Sequence, residues 1–235
     1  MNHAFQAKKR CIDVVFCIDG TGSMSPCIEK IKENVGNFYT DFKNRMNERG
    51  SEFDLLRAKV IVFRDYKYSS ESAMQESPFF ELPAEQSAFE SFVSGMSAYG
   101  GGDIPENGLE ALYFAMKSDF LPGFRNRRTI LLLTDADALD LLERKSCEGY
   151  PSDMVDEDGL VDFWNNCLLL NSDPPKSLRR YMSLAIFAPG YTNYEYISRR
   201  LERTVLLPTE SMNGLSEIDY GAILTQLVVS SCVTI

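Results

Sequence analysis

The sequence predicts an α/β fold with three layers, in which helices cover both faces of a mostly parallel six-stranded sheet. Short apolar runs carry Val, Ile, Leu and Phe at odd and even positions alike, which is typical of strands buried on both faces. Amphipathic helical patterns separate these runs, and strands that alternate with helices form parallel sheets. The predicted strands are 12–18, 57–63, 79–82, 129–133, 181–187 and 204–207.

The helices are predicted from apolar residues spaced three and four apart. The first pattern is the longest and indicates one continuous helix that ends near Gly50; its apolar positions are Ile28, Ile31, Val35, Phe38, Phe42 and Met46. The short strand 79–82 lies between Pro78 and Pro83, so we expect it at an edge of the sheet as an antiparallel strand. The further predicted helices are 89–96, 109–116, 161–169, 194–201 and 216–229.

Composition indicates one globular domain over residues 1–235, with an irregular insertion or loop at about 137–177. The formal net charge is -10, so the basic surface on which nucleic-acid binding depends is not expected. The first apolar run stops at Asp19, too soon for a membrane span, and no signal-peptide cleavage pattern precedes it. We therefore expect a cytoplasmic protein that binds neither nucleic acid nor membrane.

Cysteine and histidine usage argues against a zinc site. The sequence has six cysteines, no C-x-x-C pair and one histidine, whereas structural zinc needs four such ligands at close spacing. Free thiols are expected instead.

The stretch "DVVFCIDGTGSM" places three side-chain oxygens where the first buried strand meets the first helix. They belong to Asp19, Thr21 and Ser23. Asp135 follows the apolar run 129–133, and Asp103 lies in the glycine-rich loop "GGGDIPE". Ligands in open parallel sheets collect beyond the carboxyl ends of the strands, and Mg²⁺ prefers oxygen ligands. The pattern predicts one hard cation held by three loops.

These motifs resemble those of von Willebrand factor type A domains. "DGTGS" resembles the D-x-[ST]-x-S signature of their metal-ion-dependent adhesion site, and "VIVFRDY" resembles their second strand. "GGGDIPE" and "LLLTDA" resemble their second and third metal loops. The four motifs occur in order, and the resemblance runs over nearly the whole chain.

The resemblance implies a Rossmann-like fold and a set of metal ligands. Thr21 and Ser23 would bind the cation through their hydroxyls, and Asp19 and Asp135 largely through water. Asp103 would take the position that a threonine holds in many members, and Ala136 replaces the usual glycine after Asp135. The implied cation is Mg²⁺, with Mn²⁺ and Ca²⁺ as alternatives.

The implied function is adhesion, in which a partner protein supplies a Glu or Asp that completes the coordination of the cation. Intracellular members of the family often accompany AAA-type ATPases, kinases or phosphatases, so such a partner is expected. We expect a regulatory or assembly component and not an enzyme, because the sequence lacks a nucleophile and base arranged for hydrolysis.

Two other hypotheses stay open at the level of the sequence. A strand that ends in D-x-T also resembles phosphoaspartyl enzymes of the haloacid dehalogenase class, with Asp19 as nucleophile, Asp135 as metal ligand and Lys176 as charge stabiliser. Thr21 replaces the second acidic residue of that motif. Alternatively the domain is a scaffold with an idle metal site, whose Ser, Thr and Asp residues only cap a turn and a helix.

Overall fold

The computed structural model describes residues 10–101, 105–123, 126–166, 182–190, 192–209 and 219–232. Its central sheet contains seven strands flanked by helices, which confirms the predicted mixed α/β class. The strands are β1 Cys11–Asp19, β2 Leu55–Phe63, β3 Met74–Glu76, β4 Phe80–Leu82, β5 Arg127–Leu133, β6 Met182–Pro189 and β7 Thr204–Thr209. The helices are α1 Ser25–Asn34, α2 Phe38–Glu48, α3 Tyr66–Ser69, α4 Gln86–Gly95, α5 Gly108–Met116, α6 Glu157–Asn166, α7 Asn193–Ser198 and α8 Tyr220–Ser231.

The strand order is β3-β2-β1-β5-β6-β7, and β4 also pairs with β2. Five strands are parallel neighbours, with β1 between β2 and β5, while β3 and β4 run antiparallel to β2. From β1 the chain first adds β2 on one side and later adds β5, β6 and β7 on the other side. Because right-handed crossovers in the two directions lie on opposite faces, helices cover both faces of the sheet. The carboxyl ends of the neighbouring parallel strands β2, β1 and β5 therefore lie side by side. This side of the sheet, formed by the carboxyl ends of the strands, is the edge referred to below.

Two apolar cores, one on each face, hold the layers together. Along β1, Val14 and Phe16 face the core shared with α1, α2, α4 and α8, while Val15 and Cys17 face the core shared with α5, α6 and α7. All nine residues of β1 are buried. This alternation is the reason that both parities of the strand are apolar.

The structure differs from the predicted elements in several details. Helix α3, over Tyr66–Ser69, was not predicted, because four residues are too few to show a helical period. The single long helix is interrupted by a 3-10 turn over Val35–Asn37, which separates α1 from α2. Strand β3 was not predicted, because it has only three residues, of which two are polar and exposed, so the sheet has seven strands instead of six. Two strands are antiparallel, where one was expected.

Parts of other predicted elements lie outside the described residues. They are the end of the helix predicted at 161–169, the start of the strand at 181–187 and the start of the helix at 216–229. Among the residues that the structure describes, every helix is too short or too polar to cross a lipid bilayer.

Candidate metal site

The candidate site lies at the carboxyl ends of the adjacent parallel strands β1 and β5. Asp19 is the last residue of β1, and Thr134 and Asp135 directly follow β5. The register pairs Ile18 with Leu133, so Asp19 and Thr134 leave the sheet side by side. The sheet itself thus brings together two motifs that are more than a hundred residues apart in the sequence.

A chain of short hydrogen bonds connects the oxygen-bearing side chains. The carboxylate of Asp19 accepts from the Thr21 hydroxyl at 2.7 Å and from the Thr21 amide at 2.8 Å through Oδ1. Its Oδ2 accepts from the Thr134 hydroxyl at 2.7 Å. Ser23 Oγ donates to Asp135 Oδ1 at 3.0 Å, and the hydroxyl oxygens of Thr21 and Ser23 are 3.3 Å apart. Four predicted ligands, Asp19, Thr21, Ser23 and Asp135, therefore lie in one cluster.

Burial sets the electrostatics of this cluster. Asp19 is 0% exposed, whereas Ser23 is exposed to solvent, so the cluster opens outward through Ser23. Burial raises the pKa of Asp19 to about 6, and hydrogen bonds from Thr134 and Thr21 offset part of that effect. Burial also raises the pKa of Asp135. Both carboxylates sit in an environment that disfavours negative charge, which a bound cation would relieve.

The donor set fits a small hard cation. Neighbouring ligands of an octahedral Mg²⁺ at about 2.1 Å are about 3 Å apart. The separations of 3.3 Å between Thr21 and Ser23 and 3.0 Å between Ser23 and Asp135 are close to that value. Within the described part of the chain, no group of three or more His, Cys, Asp or Glu side chains is placed to hold a metal. A cation here would depend on hydroxyl ligands, and the role of these residues as ligands stays a prediction.

Asp103, the fifth predicted ligand, lies outside the described residues. The loop that leads to it packs directly on the first motif. Gly22 donates its amide to the Gly100 carbonyl at 3.2 Å, and a Cβ at Gly101 would lie 3.3 Å from Thr21 Cβ. Gly100 and Gly101 have positive φ angles of 72° and 86°, a conformation that favours glycine.

Gly20 is required for a different reason. A Cβ at Gly20 would lie 2.6 Å from Val62 and 2.7 Å from the guanidinium carbon of Arg64. Only a residue without a side chain fits against that arginine. The neighbouring loop tolerates Ala136 in place of glycine, because the described residues with positive φ do not include it.

The loop between β5 and α6 is tied to the same edge by buried polar contacts. Arg144 forms a two-pronged ion pair with Asp65, with both nitrogen–oxygen distances at 2.8 Å. Asp65 is 1% exposed, and its side chain also caps the start of α3 by accepting the Lys67 amide. Tyr150 donates to Glu110 of α5 at 2.8 Å. Burial raises the pKa of Glu110 to about 7.

Among the residues that the structure describes, no cysteine joins other metal-binding side chains in a group that could hold a metal. Cys11, Cys17, Cys27, Cys147 and Cys232 are free thiols, as expected, and Cys167 lies outside the described residues. Burial raises the pKa values of the Cys11 and Cys17 thiols above the usual range, which makes them inert.

Two residues of this edge were not among the predicted ligands. Thr134 links Asp19 to the end of β5, and its only sequence signal is its position before Asp135. Arg64 lies within the "FRDY" motif, where a lone arginine after an apolar strand gave no hint of its contacts. Tertiary contacts assign a role to both.

No family model matches this sequence. Alpha-protein kinase vwkA from Dictyostelium discoideum is 25% identical over 161 residues, which are 68% of this chain and 24% of that protein. The chain thus spans about a quarter of the length of this relative.

In structure, the chain is similar to the pilus adhesin SpaC from Lactobacillus rhamnosus GG, with a TM-score of 0.52 and 12% identity over 95% of this chain and 31% of SpaC. The open conformation of SpaC gives a TM-score of 0.51, also at 12% identity, over 96% of this chain and 31% of SpaC. At these identities the structural likeness concerns the fold: this chain has the α/β architecture found in part of SpaC.

Proposed function

We propose that this chain is a protein-binding module that holds Mg²⁺ at the edge of its sheet and uses it to bind a carboxylate of a partner protein. One observation carries the proposal. Two hydroxyls and two carboxylates from separate strand ends converge with oxygen separations of 2.7 to 3.3 Å. The proposed direct ligands are Thr21 and Ser23, with Asp19, Asp135 and Asp103 acting directly or through water.

Each of the described side chains has a separate task in this proposal. Asp19 orients Thr21 by accepting a hydrogen bond from its hydroxyl. Thr134 orients Asp19 by donating its own hydroxyl to the carboxylate. Ser23 is the exposed member and marks the direction from which a partner approaches. A Mg²⁺ held largely by neutral hydroxyls supplies a coordination position that favours an incoming carboxylate.

The comparisons support a binding role in general terms. SpaC is named an adhesin, and vwkA is named a protein kinase. A partner among kinases, phosphatases or AAA-type ATPases, and a cytoplasmic location, are part of the proposal. A non-enzymatic role is likewise proposed.

A double substitution tests the metal site. Thr21→Val with Ser23→Ala removes both hydroxyls and keeps the side-chain volumes nearly constant. We expect it to weaken Mn²⁺ binding, measured by electron paramagnetic resonance, at least 10-fold relative to the unmodified protein. The matched control is Thr129→Val with Ser183→Ala, which removes a second hydroxyl pair, 3.2 Å apart, between the neighbouring strands β5 and β6. Equal Mn²⁺ affinity in both double variants would refute the site, and an absence of Mn²⁺ binding in the unmodified protein would favour the idle scaffold.

Acetate serves as a probe for the open coordination position. The relaxation rate of water protons reports the exchangeable water on protein-bound Mn²⁺. We expect acetate to lower this rate, because acetate displaces water from the Mn²⁺. Chloride at the same ionic strength should have no such effect. A relaxation rate that acetate leaves unchanged would contradict the carboxylate-binding role even if Mn²⁺ binds.

The geometry of Asp19 disfavours the phosphatase hypothesis. A nucleophilic carboxylate must reach its substrate, but Asp19 is 0% exposed and both of its oxygens accept hydrogen bonds. Lys176, the expected charge stabiliser, lies outside the described residues. We expect no turnover of p-nitrophenyl phosphate with Mg²⁺, and turnover that Asp19→Asn abolishes would replace the proposal.

A further inference from the structure

Arg64 is a buried arginine at the same edge of the sheet as the candidate metal site. It directly follows β2 and is 1% exposed. Its guanidinium donates to three backbone carbonyls: Nε to Gly20 at 2.9 Å, Nη1 to Ser72 at 3.2 Å and Nη2 to Ser97 at 2.7 Å. These acceptors belong to three different connecting segments, so one side chain ties three loops together.

Two of these loops carry the proposed ligands. Gly20 lies between Asp19 and Thr21, and Ser97 precedes the glycine-rich loop that continues to Asp103. The Gly20 carbonyl also accepts the Tyr99 amide at 3.0 Å, so both loops meet at one oxygen next to Arg64. The guanidinium therefore contacts both loops at the point where they meet.

Arg64 is held tightly in this place. The backbone of Gly20 packs so closely on its guanidinium that a Cβ there would lie 2.7 Å from Cζ. The Tyr99 ring covers the guanidinium, with its centroid 4.0 Å from Cζ. A planar fork can bond three acceptors in fixed directions while it stacks on an aromatic ring, and the ammonium of lysine lacks this geometry.

We propose that Arg64 is a positioning residue that fixes the first and second ligand loops relative to each other and so determines the metal affinity of the site. The inference rests on the proposed function for its effect on metal, but the loop contacts themselves do not. Partners that orient metal ligands typically change metal affinity 10- to 100-fold when they are lost. Arg64→Lys retains the charge and removes the fork, so its effect measures position rather than electrostatics.

Arg57, which lies in β2, provides a matched control. It is also buried, pairs with Asp13 at 2.8 and 2.7 Å, donates to the Asp119 carbonyl at 2.9 Å and stacks on Phe79 with the ring centroid at 4.3 Å. It lies seven residues before Arg64 in the chain, which in a strand corresponds to about 23 Å. Arg57→Lys therefore disturbs a comparable arginine near the amino end of β2, whereas Arg64 lies at its carboxyl end.

Two measurements test the proposal on both variants. The first is hydrogen exchange of the Gly22 and Tyr99 amides without metal, because these amides bridge the two loops. The second is Mn²⁺ affinity. We expect Arg64→Lys to accelerate exchange of both amides at least 10-fold and to weaken Mn²⁺ binding 10- to 100-fold, while Arg57→Lys leaves both within 2-fold of the unmodified protein.

The outcomes separate this inference from the proposed function. Unchanged exchange and unchanged Mn²⁺ affinity in Arg64→Lys would overturn the positioning role. If the unmodified protein binds no Mn²⁺, the proposed function fails, and the exchange rates still decide whether Arg64 holds the loops. If Arg64→Lys does not fold, Tyr99→Leu replaces it, because Tyr99 is 42% exposed and its ring covers the guanidinium. We expect Tyr99→Leu to change both quantities in the same direction by at least 3-fold, and no change would overturn the inference.

Discussion

Two aspartates of β1 show how the environment of a carboxylate separates a structural role from a binding role. Asp13 and Asp19 are both 0% exposed. Asp13 is paired with the guanidinium of Arg57 and accepts the Leu121 amide, so its charge is compensated within the fold. Asp19 is held by neutral donors, the hydroxyls of Thr21 and Thr134. A buried carboxylate with neutral partners is suited to a cation from solution.

Glu110 should make stability depend on pH. Burial raises its pKa from 4.5 to about 7, so the folded state binds the proton more tightly than the unfolded chain. Between about pH 4.5 and 7 the folded state carries more protons, and the free energy of unfolding falls as pH rises, by at most about 3 kcal/mol. We expect Glu110→Gln to make this fall smaller, measured by urea unfolding at a series of pH values. Part of the fall should remain, because burial also raises the pKa of Asp19, to about 6.

The control for this profile is Glu81→Gln, at an exposed position of β4. It should keep the pH dependence of the unmodified protein. A Glu110→Gln profile that falls between pH 4.5 and 7 as steeply as that of the unmodified protein would assign the effect to other groups.

At the scale of elements, a buried ion pair joins the connection between β5 and α6 to the start of α3. Arg144→Met leaves the Asp65 carboxylate, 1% exposed, without its guanidinium partner. Breaking a buried ion pair on one side typically costs about 3–5 kcal/mol. We expect a loss of that order in the free energy of unfolding, measured with urea. Adding Asp65→Asn should recover part of it, because the unpaired buried charge is then removed.

Lys117→Met offers a comparison on the same connection. Lys117 pairs with Asp153, and the two side chains are 40% and 63% exposed. Exposed ion pairs contribute about 0–1 kcal/mol, so this variant should lose little stability. Equal losses in Arg144→Met and Lys117→Met would show that burial does not distinguish the two pairs.

Most elements could be predicted from periodicity, and the exceptions have local causes. The pattern from Ile28 to Met46 keeps its apolar face through the break at Val35–Asn37, because a 3-10 turn shifts the backbone without exposing that face. Strand β3 has no apolar alternation, since it is a short edge strand with partly exposed side chains. Neither feature leaves a periodic signal.

For the whole molecule, cation binding should appear as thermal stability. A cation that binds the folded state alone stabilises it by about 2.7 kcal/mol at 100 times its dissociation constant. For a chain of 235 residues this corresponds to an increase in Tm of about 5–10 °C. We expect MgCl₂ to produce this shift in calorimetry and EDTA to reverse it.

NaCl at equal ionic strength controls for screening, because the formal net charge of -10 makes the fold sensitive to salt in general. In the double variant Thr21→Val with Ser23→Ala, MgCl₂ should change Tm by no more than NaCl does at the same ionic strength. If MgCl₂ raised the Tm of this variant as much as that of the unmodified protein, the cation would bind at another site.

The sequence by itself determined the layered α/β class and the residues that carry oxygen at the ends of β1 and β5. It could do so because burial on both faces of a strand, and a change from apolar to oxygen-bearing residues at its end, are properties of neighbouring positions. Only the tertiary structure decided that Ser23 contacts Asp135, that Gly20 packs against Arg64 and that Asp65 pairs with Arg144. These contacts depend on strand order and loop path, which are set by packing between distant segments and have no signature in local sequence.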